Sequence, residues 1–220
     1  MWEFEARWTC SSGLSKAGNL WARYSPKLRR EVRFTRDVDY WHWLLIEIDP
    51  AISAFCEEPV PRNHMDAKMA ALADVWLMRT DGAIEFRSVA RSDKQVSTTA
   101  RVLEETFGEG FTHRALSKEE VLSEPFLLDN SLRMVGFLSP SGPEISIDLL
   151  SSIEEAFRSN GTQTLGGAID RLRPGPHEQQ ILVALFALIH QGRLKANLRE
   201  KLTDKTNLRW ESRGNATIAS

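Results

Sequence analysis

Three side chains suited to metal and phosphate chemistry lie close together in the sequence ADVWLMRTDGAIEFR. They are Asp74, Glu85 and Arg87. Carboxylate oxygens bind Mg²⁺, and a cation beside them can stabilise the charge that develops on a phosphate. The pattern therefore favours metal-dependent hydrolysis of a phosphodiester. An exposed sheet face with a salt bridge is the alternative interpretation.

A hairpin is needed to bring these residues together. Asp81-Gly82 is a preferred tight-turn dipeptide, and the segments on either side of it predict two strands. Because alternate residues of a strand share a face, Glu85 lies on the same face as Arg87. A two-residue turn would place Asp74 opposite Val89, which makes Asp74 a diagonal neighbour of Arg87.

A helix is predicted upstream, over residues 35–48, with Thr35 as its N-cap and Asp49-Pro50 as its end. Asp39 and His42 lie three residues apart on one face of this helix. From the helix alone, an exposed and solvated pair is as good an interpretation as a site. The apolar stripe expected to be buried consists of Val38, Trp41, Leu45 and Ile48.

Local signals organise the chain on both sides of the hairpin. Residues 51–60 predict a short helix or turn that leads into a strand. Ser92 or Asp93 can begin a helix that ends at Gly108, and Ser117 begins a capping box before another short helix.

The overall composition is that of an ordinary globular protein. The chain has 220 residues and a net charge of -2, so no overall basic field attracts nucleic acid. Cys10 and Cys56 lack metal-binding spacing, and we expect reduced thiols. No segment is apolar for long enough to span a membrane, and the first residues do not form a signal peptide. A cytoplasmic protein is expected.

Any DNA contact must therefore come from local basic patches. The first 33 residues are irregular and rich in Lys and Arg, which indicates either a solvated arm or a segment that contacts phosphates. The candidate DNA-binding residues are Lys27, Arg29 and Arg30 in this stretch, Lys94 after the hairpin, and Lys195 and Arg199 near the C-terminus.

A linker at residues 139–143, SPSGP, suggests a domain boundary. The following pattern predicts three helices and two strands, an order typical of a winged helix. The third helix is apolar almost all round, which favours a core or protein interface over DNA contact, although both remain open. The predicted elements span residues 144–159, 164–172 and 177–191 for the helices, and 193–198 and 206–210 for the strands.

Longer stretches resemble the TnsA-like transposon endonucleases, the restriction-enzyme-like partners of DDE transposases in heteromeric cut-and-paste transposons. GNLWARYSPKLRREVRF is similar to that family's Gly-x-x-x-Ser-x-Lys-x-x-Arg segment before its first catalytic helix. DYWHWLLIEIDPAISAFCEEPV is similar to the helix, the acidic-Pro turn and the acidic residue before Pro. ADVWLMRTDGAIEFR resembles the Pro-Asp and Glu-x-Lys hairpin, and LIHQGRLKANLREKLTDKTNLRW resembles the end of the family's winged-helix-like domain. Residues 111–143 have no recognisable match.

The resemblance implies a catalytic site of Asp39, Asp74, Glu85 and Arg87. Asp39 stands where the family has Glu, counting back from Asp49-Pro50, and Arg87 stands where the family has Lys. The three carboxylates would bind Mg²⁺, for which Mn²⁺ can substitute. Arginine keeps the positive charge but does not deprotonate in proteins. Loss of a proton-exchanging group lowers a rate by roughly 10²–10⁴-fold.

The expectation is an α/β protein of two domains, taken as residues 1–138 and 139–220. The first would be a restriction-endonuclease-like mixed sheet flanked by helices, and the second a winged-helix-like domain. The resemblance implies a bacterial, Mg²⁺-dependent DNA endonuclease that cuts the 5′ ends of a transposon together with a DDE transposase and an AAA+ regulator. The regulator would dock on the C-terminal part. The alternative is a catalytically weak or inactive subunit that acts in transpososome assembly and DNA binding.

Overall fold

The computed structural model describes residues 4–6, 19–61, 72–139, 145–173 and 175–211. The chain divides into two compact units, Met1–Glu124 and Pro125–Ser220. The first unit contains β1 (Phe4–Ala6), β2 (Trp21–Ser25), β3 (Arg30–Phe34), α1 (Asp37–Ile48), β4 (Ile52–Glu57), β5 (Pro59–Pro61), β6 (Val75–Arg79), β7 (Ile84–Val89), α2 (Asp93–Phe107), β8 (Thr112–Leu116) and α3 (Lys118–Leu122).

A four-stranded mixed sheet, in the order β4-β6-β7-β8, positions the hairpin residues. Strand β6 runs antiparallel to both of its neighbours, β4 and β7, and β8 runs parallel to β7. Helices flank the sheet, so the expected α/β class with a mixed sheet is confirmed. Residues 51–60 were expected to form a short helix or turn that leads into a strand; the strand is present, but it begins already at Ile52 as β4, with no additional helix before it.

The connection between β6 and β7 is longer than a two-residue turn. Val75 pairs with Arg87, and Met78 pairs with Ile84. The expected pairing of Asp74 with Val89 is therefore wrong. Asp74 lies one residue before β6, and its backbone N–H donates to the carbonyl of Arg87 at 3.1 Å.

Helix α1 is buried on more than one face. The predicted stripe is only half-buried at Val38, Trp41 and Leu45, which pack against a cluster formed by Val89, Leu116 and Val121. The deeply buried side chains of the helix are Tyr40, His42, Trp43, Leu44, Ile46, Glu47 and Ile48. The predicted stripe is therefore only one of the faces through which α1 packs against the rest of its unit.

The opposite face of the sheet packs against α2. Phe86 and Leu103 are fully buried there, together with Leu72 and Ala73. The predicted start and end of α2 are confirmed, because Ser92 forms a capping box with Gln95 and Gly108 ends the helix with a positive φ.

The second unit is mainly helical. It contains α4 (Pro125–Phe137), α5 (Ile147–Asn160), β9 (Thr162–Thr164), α6 (Leu165–Leu172), α7 (Glu178–His190), β10 (Leu194–Ala196) and β11 (Asn207–Trp210). The strands form an antiparallel sheet in the order β10-β11-β9. The three helices and the hairpin predicted for this region are present, and β9 is an additional strand. Helix α4 belongs to this unit, although the sequence placed the boundary at residue 139.

In the described part of the chain, no helix has the length and apolar character needed to cross a membrane.

Candidate functional site

Asp39 and Asp74 meet at one arginine, Arg36, which lies at the N-cap position of α1. Arg36 donates to both oxygens of Asp39, from Nε at 2.6 Å and from Nη2 at 2.5 Å. The same Nη2 lies 3.0 Å from Oδ1 of Asp74. One guanidinium therefore bridges two carboxylates that the sequence predicted as metal ligands.

Backbone and side-chain contacts together hold Asp74 in place. Its carbonyl accepts from the N–H of Glu58 at 2.9 Å, and its Oδ2 accepts from the N–H of Val89 at 2.7 Å. Arg91 adds a second guanidinium, with Nε 3.1 Å from each carboxylate oxygen and Nη2 bonded to Oδ1. The side-chain carboxylate of Asp74 therefore has two arginine partners and one backbone donor.

Glu85 and Arg87 form their own ion pair on β7, with Arg87 Nε 2.7 Å from Glu85 Oε1. Arg87 Nη1 lies 3.1 Å from Nε2 of His42. His42 is 3% exposed, and burial together with the positive charges of Arg87 and Arg114 lowers its pKa to about 3. A neutral imidazole accepts a hydrogen bond at one nitrogen, so Nε2 accepts from Arg87.

Burial raises the pKa of Asp39 to about 6, and the negative charge of Asp74 acts in the same direction. The hydrogen bonds and charge of Arg36 oppose this shift without reversing it, because the carboxylate is only 15% exposed. Asp39 thus titrates nearer to neutrality than an ordinary aspartate.

A small pocket opens between α1 and the start of β6. It brings Asp39, His42 and Asp74 to one surface, while Glu85 and Arg87 are not part of its lining. The other lining residues are Phe34, Trp43, Ile46, Phe55, Glu57 and Val75. The exposed-pair interpretation of Asp39 and His42 is therefore wrong, since both line a pocket and His42 is buried.

The carboxylates in this arrangement do not fit a metal ion. Among the described residues, no group of three or more His, Cys, Asp or Glu side chains is placed to hold one. Arg36 and Arg91 already occupy the oxygens of Asp39 and Asp74, and Arg87 pairs with Glu85. A divalent cation needs such oxygens free of competing cations.

Two of the predicted DNA-binding residues in the first unit are tied to the protein itself. Lys27 donates from Nζ to the carbonyls of Asp49 and Ile52, at 2.7 and 2.6 Å, and burial lowers its pKa. Arg30 pairs with the buried Glu57 through two hydrogen bonds. These contacts fix the end of α1 and the start of β3.

The other predicted DNA-binding residues lie at the surface. Arg29 is exposed, with a positive φ of 53° in the turn between β2 and β3. Lys94 is exposed in the first turn of α2, and Arg199 is exposed after β10. Lys195 is exposed on β10, 3.2 Å from Glu211.

Sequence reasoning missed Arg36 and Arg91 as parts of the site. The spacing of Arg36 and Asp39, three residues apart in a helical pattern, was a usable signal for an ion pair. Arg91 lies two residues after the end of β7, so it could have been expected near Asp74, which precedes the neighbouring strand β6. The contact of His42 with Arg87 joins residues 45 positions apart and depends on tertiary packing.

No protein-family model matches the chain, and no curated protein matches it.

Proposed function

We propose that the chain is a nuclease-like subunit of a heteromeric cut-and-paste transposase that acts in transpososome assembly and DNA binding, with weak or no cleavage of its own. The observation that carries this proposal is the pairing of each candidate carboxylate with an arginine. Arg36 bridges Asp39 and Asp74, Arg91 pairs with Asp74, and Arg87 pairs with Glu85.

The placement of these residues supports a restriction-endonuclease-like domain. Asp39 lies on a helix that packs beside the sheet, Asp74 precedes β6, and Glu85 lies on the adjacent β7. The sequence resemblance assigns catalytic positions to the same elements. Asp39 stands where the resemblance has Glu, and Arg87 where it has Lys, so both positions keep the sign of their charge. Arg87 argues against efficient hydrolysis of the phosphodiester, because a guanidinium does not exchange protons as a lysine can.

The C-terminal unit supports the assembly role. Its order of helix, strand, two helices and a hairpin favours a winged-helix-like domain, with β9 joined to β11. Helix α7 buries eight of its residues, from Ile181 to Ile189, so it offers little polar surface for reading base edges. This apolar burial favours a core helix over a DNA-reading helix. An AAA+ regulator is the proposed partner, and a bacterial cytoplasm the proposed location.

A second candidate is the active Mg²⁺-dependent endonuclease that cuts the transposon's 5′ ends. The observation that favours it is the exposure of the two arginines on the carboxylates, 29% for Arg36 and 34% for Arg91. Side chains that reach solvent to this extent can leave their partners when another ligand competes for them.

The test is nicking of transposon-end DNA by the chain together with its transposase and regulator, with Mg²⁺ or Mn²⁺. Wild type is compared with Asp74→Ala and Arg87→Lys. We expect wild type to support assembly on the ends with little nicking, and Arg87→Lys to raise the nicking rate. Strong nicking by wild type that Asp74→Ala abolishes would establish the second candidate. Nicking that survives Asp74→Ala would place the active site elsewhere.

A further inference from the structure

We infer that Arg36 and Arg91 are built-in counter-ions that lock Asp39 and Asp74 against divalent cations, and that the phosphates of duplex DNA open this lock. The inference rests on the proposed nuclease-like DNA-binding site. It does not require that the site cleaves DNA.

The geometry of the lock leaves the carboxylates little capacity for a metal ion. Both oxygens of Asp39 accept from Arg36. Oδ1 of Asp74 accepts from Arg36 and Arg91, while Oδ2 accepts from Arg91 and from the N–H of Val89. A divalent cation would have to displace hydrogen bonds and enter beside two positive charges, which oppose its binding electrostatically.

The burial of the site strengthens this effect. The side chains of Asp39 and Asp74 are 15% and 9% exposed, so their charges are screened less than surface charges. Two carboxylates so close together also repel each other unless cations lie between them. Arg36 and Arg91 therefore supply in the free protein the charge compensation that a metal ion would otherwise supply.

Phosphate is the chemistry that can compete for these arginines. The planar guanidinium fork binds a phosphate through two hydrogen bonds as readily as it binds a carboxylate. Both arginines reach solvent, and exposed Lys94 lies three residues beyond Arg91. A DNA backbone laid across this surface would draw the guanidiniums outward and leave the carboxylates free.

The first test measures Mn²⁺ binding to the full chain without DNA, from the electron paramagnetic resonance signal of free Mn²⁺. Arg36→Gln/Arg91→Gln is compared with wild type and with Arg101→Gln/Arg158→Gln. The control pair removes two exposed, ion-paired arginines and changes net charge equally. We expect the Arg36/Arg91 variant to bind Mn²⁺ about tenfold more tightly or better than both others, because two nearby cations are gone.

Equal Mn²⁺ affinity in all three proteins would overturn the lock. A cooperative thermal melt establishes that each variant is folded. If the Arg36/Arg91 variant shows no cooperative melt, Arg91→Gln alone is used. We expect a smaller increase in its Mn²⁺ affinity, since Arg36 still pairs with Asp74. Absence of any gain in that variant also overturns the lock.

The second test adds a short DNA duplex to wild type and to Asp74→Asn. We expect wild type to bind additional Mn²⁺ on DNA that Asp74→Asn does not bind, since the duplex itself contributes equally to both. Equal binding would overturn the release by DNA. Both tests measure metal binding rather than cleavage, so a chain that never nicks DNA can still satisfy them. Failure of the lock leaves the assembly role intact.

Discussion

At the scale of single residues, His42 orients the guanidinium of Arg87. Its Nε2 accepts from Arg87 Nη1, so the ring proton lies on Nδ1. Arg87 is held at a second point by Glu85. A group fixed by two partners keeps its direction at little further cost in conformational entropy.

The free energy of unfolding should depend on pH because His42 is buried in its neutral form. The pKa of His42 is about 3 in the folded protein and near 6.5 when unfolded. Between these values the unfolded chain binds more protons, so the stabilising contribution is present above pH 6.5 and is lost as pH falls towards 3. The loss amounts to at most about 5 kcal/mol. Urea unfolding of wild type and His42→Gln between pH 4.5 and 7.5 measures it.

We expect the free energy of unfolding of wild type to fall more steeply on acidification than that of His42→Gln. Asp39 acts in the opposite direction, because its raised pKa adds stability at low pH that is lost as pH rises through about 6. Both proteins carry Asp39, so its contribution cancels in the comparison. Parallel curves would contradict the buried, neutral state of His42.

The candidate carboxylates could be named from sequence, but their partners could not. Residue type, spacing and resemblance indicate Asp39, Asp74, Glu85 and Arg87. In the structure Asp39 lies on α1, Asp74 lies just before β6, and the other two lie on β7. Their ion pairs depend on which side chains arrive from elsewhere in the chain. The contact of Arg36 with Asp74 joins residues 38 positions apart, which no local pattern encodes.

At the scale of elements, the N-terminal cap of α2 fixes the backbone next to Arg91. The hydroxyl of Ser92 accepts from the N–H of Gln95, and the Gln95 side chain accepts from the N–H of Ser92. A capping box satisfies donors that the first turn would leave unpaired. The capping box therefore fixes the backbone at the start of α2. Arg91 immediately precedes the capping residue, so its backbone position is fixed as well.

Ser92→Ala should lower the free energy of unfolding by about 1 kcal/mol, the usual value for a lost serine cap. Ser97→Ala on the same helix is the matched control, because its hydroxyl only donates to the carbonyl of Asp93 one turn earlier. Urea unfolding of both variants decides the matter. Equal, small effects in the two would mean that the cap contributes nothing measurable.

Glycines provide a second comparison between elements. A Cβ on Gly166, at the start of α6, would lie 2.9 Å from Cβ of Asp204 and 3.2 Å from its carbonyl oxygen. Gly166→Ala should therefore destabilise the second unit by about 1–3 kcal/mol. Gly136 is exposed inside α4 with open space around it, so Gly136→Ala should stabilise by about 0.5–1 kcal/mol. The change in melting temperature gives the sign of each effect. A rise in melting temperature for Gly166→Ala would contradict the close approach of Gly166 to Asp204.

Elements with strong local signals were the predictable part of the fold. Caps and apolar spacing indicated α2, α5, α6 and α7, because these helices are determined largely by neighbouring residues. Strands β1, β2, β3, β8 and β9 were missed, and the first three contradict the expectation that residues 1–33 are irregular. β9 has only three residues, and the exposed residues of β8 show no clear alternation, so each becomes a strand only through its pairing partner.

At the scale of the whole molecule, the position of the boundary between the two units depends on α4. The sequence placed the boundary after this helix, at the SPSGP linker, because proline and glycine usually mark connections. The second unit instead begins at Pro125. Asn130 explains this, since it is 2% exposed and binds backbone groups near the C-terminal hairpin.

The contribution of α4 can be measured by expressing fragments 125–220 and 139–220. Asn130 donates to the carbonyls of Leu198 and Glu200, at 2.9 and 2.8 Å, and accepts from the N–H of Leu202 at 3.2 Å. Each buried group left unpaired costs about 1 kcal/mol or more. Loss of the buried side chains of α4 adds a larger cost, since an exposed core cannot close over the gap. We expect fragment 125–220 to unfold cooperatively in urea and fragment 139–220 to be less stable by about 3 kcal/mol or more, or unfolded.

A substitution separates the role of Asn130 from the length of the fragment. Asn130→Ala in fragment 125–220 keeps the apolar side of α4 but removes the three hydrogen bonds. It should therefore lower the free energy of unfolding by part, and not all, of the difference between the two fragments. Asp129→Ala is the control, because this neighbouring side chain is exposed. Equal stability of the two fragments would return the boundary to residue 139 and make α4 an appendage. Intermediate stability for Asn130→Ala would establish that the helix joins the second unit through both its polar anchor and its apolar face.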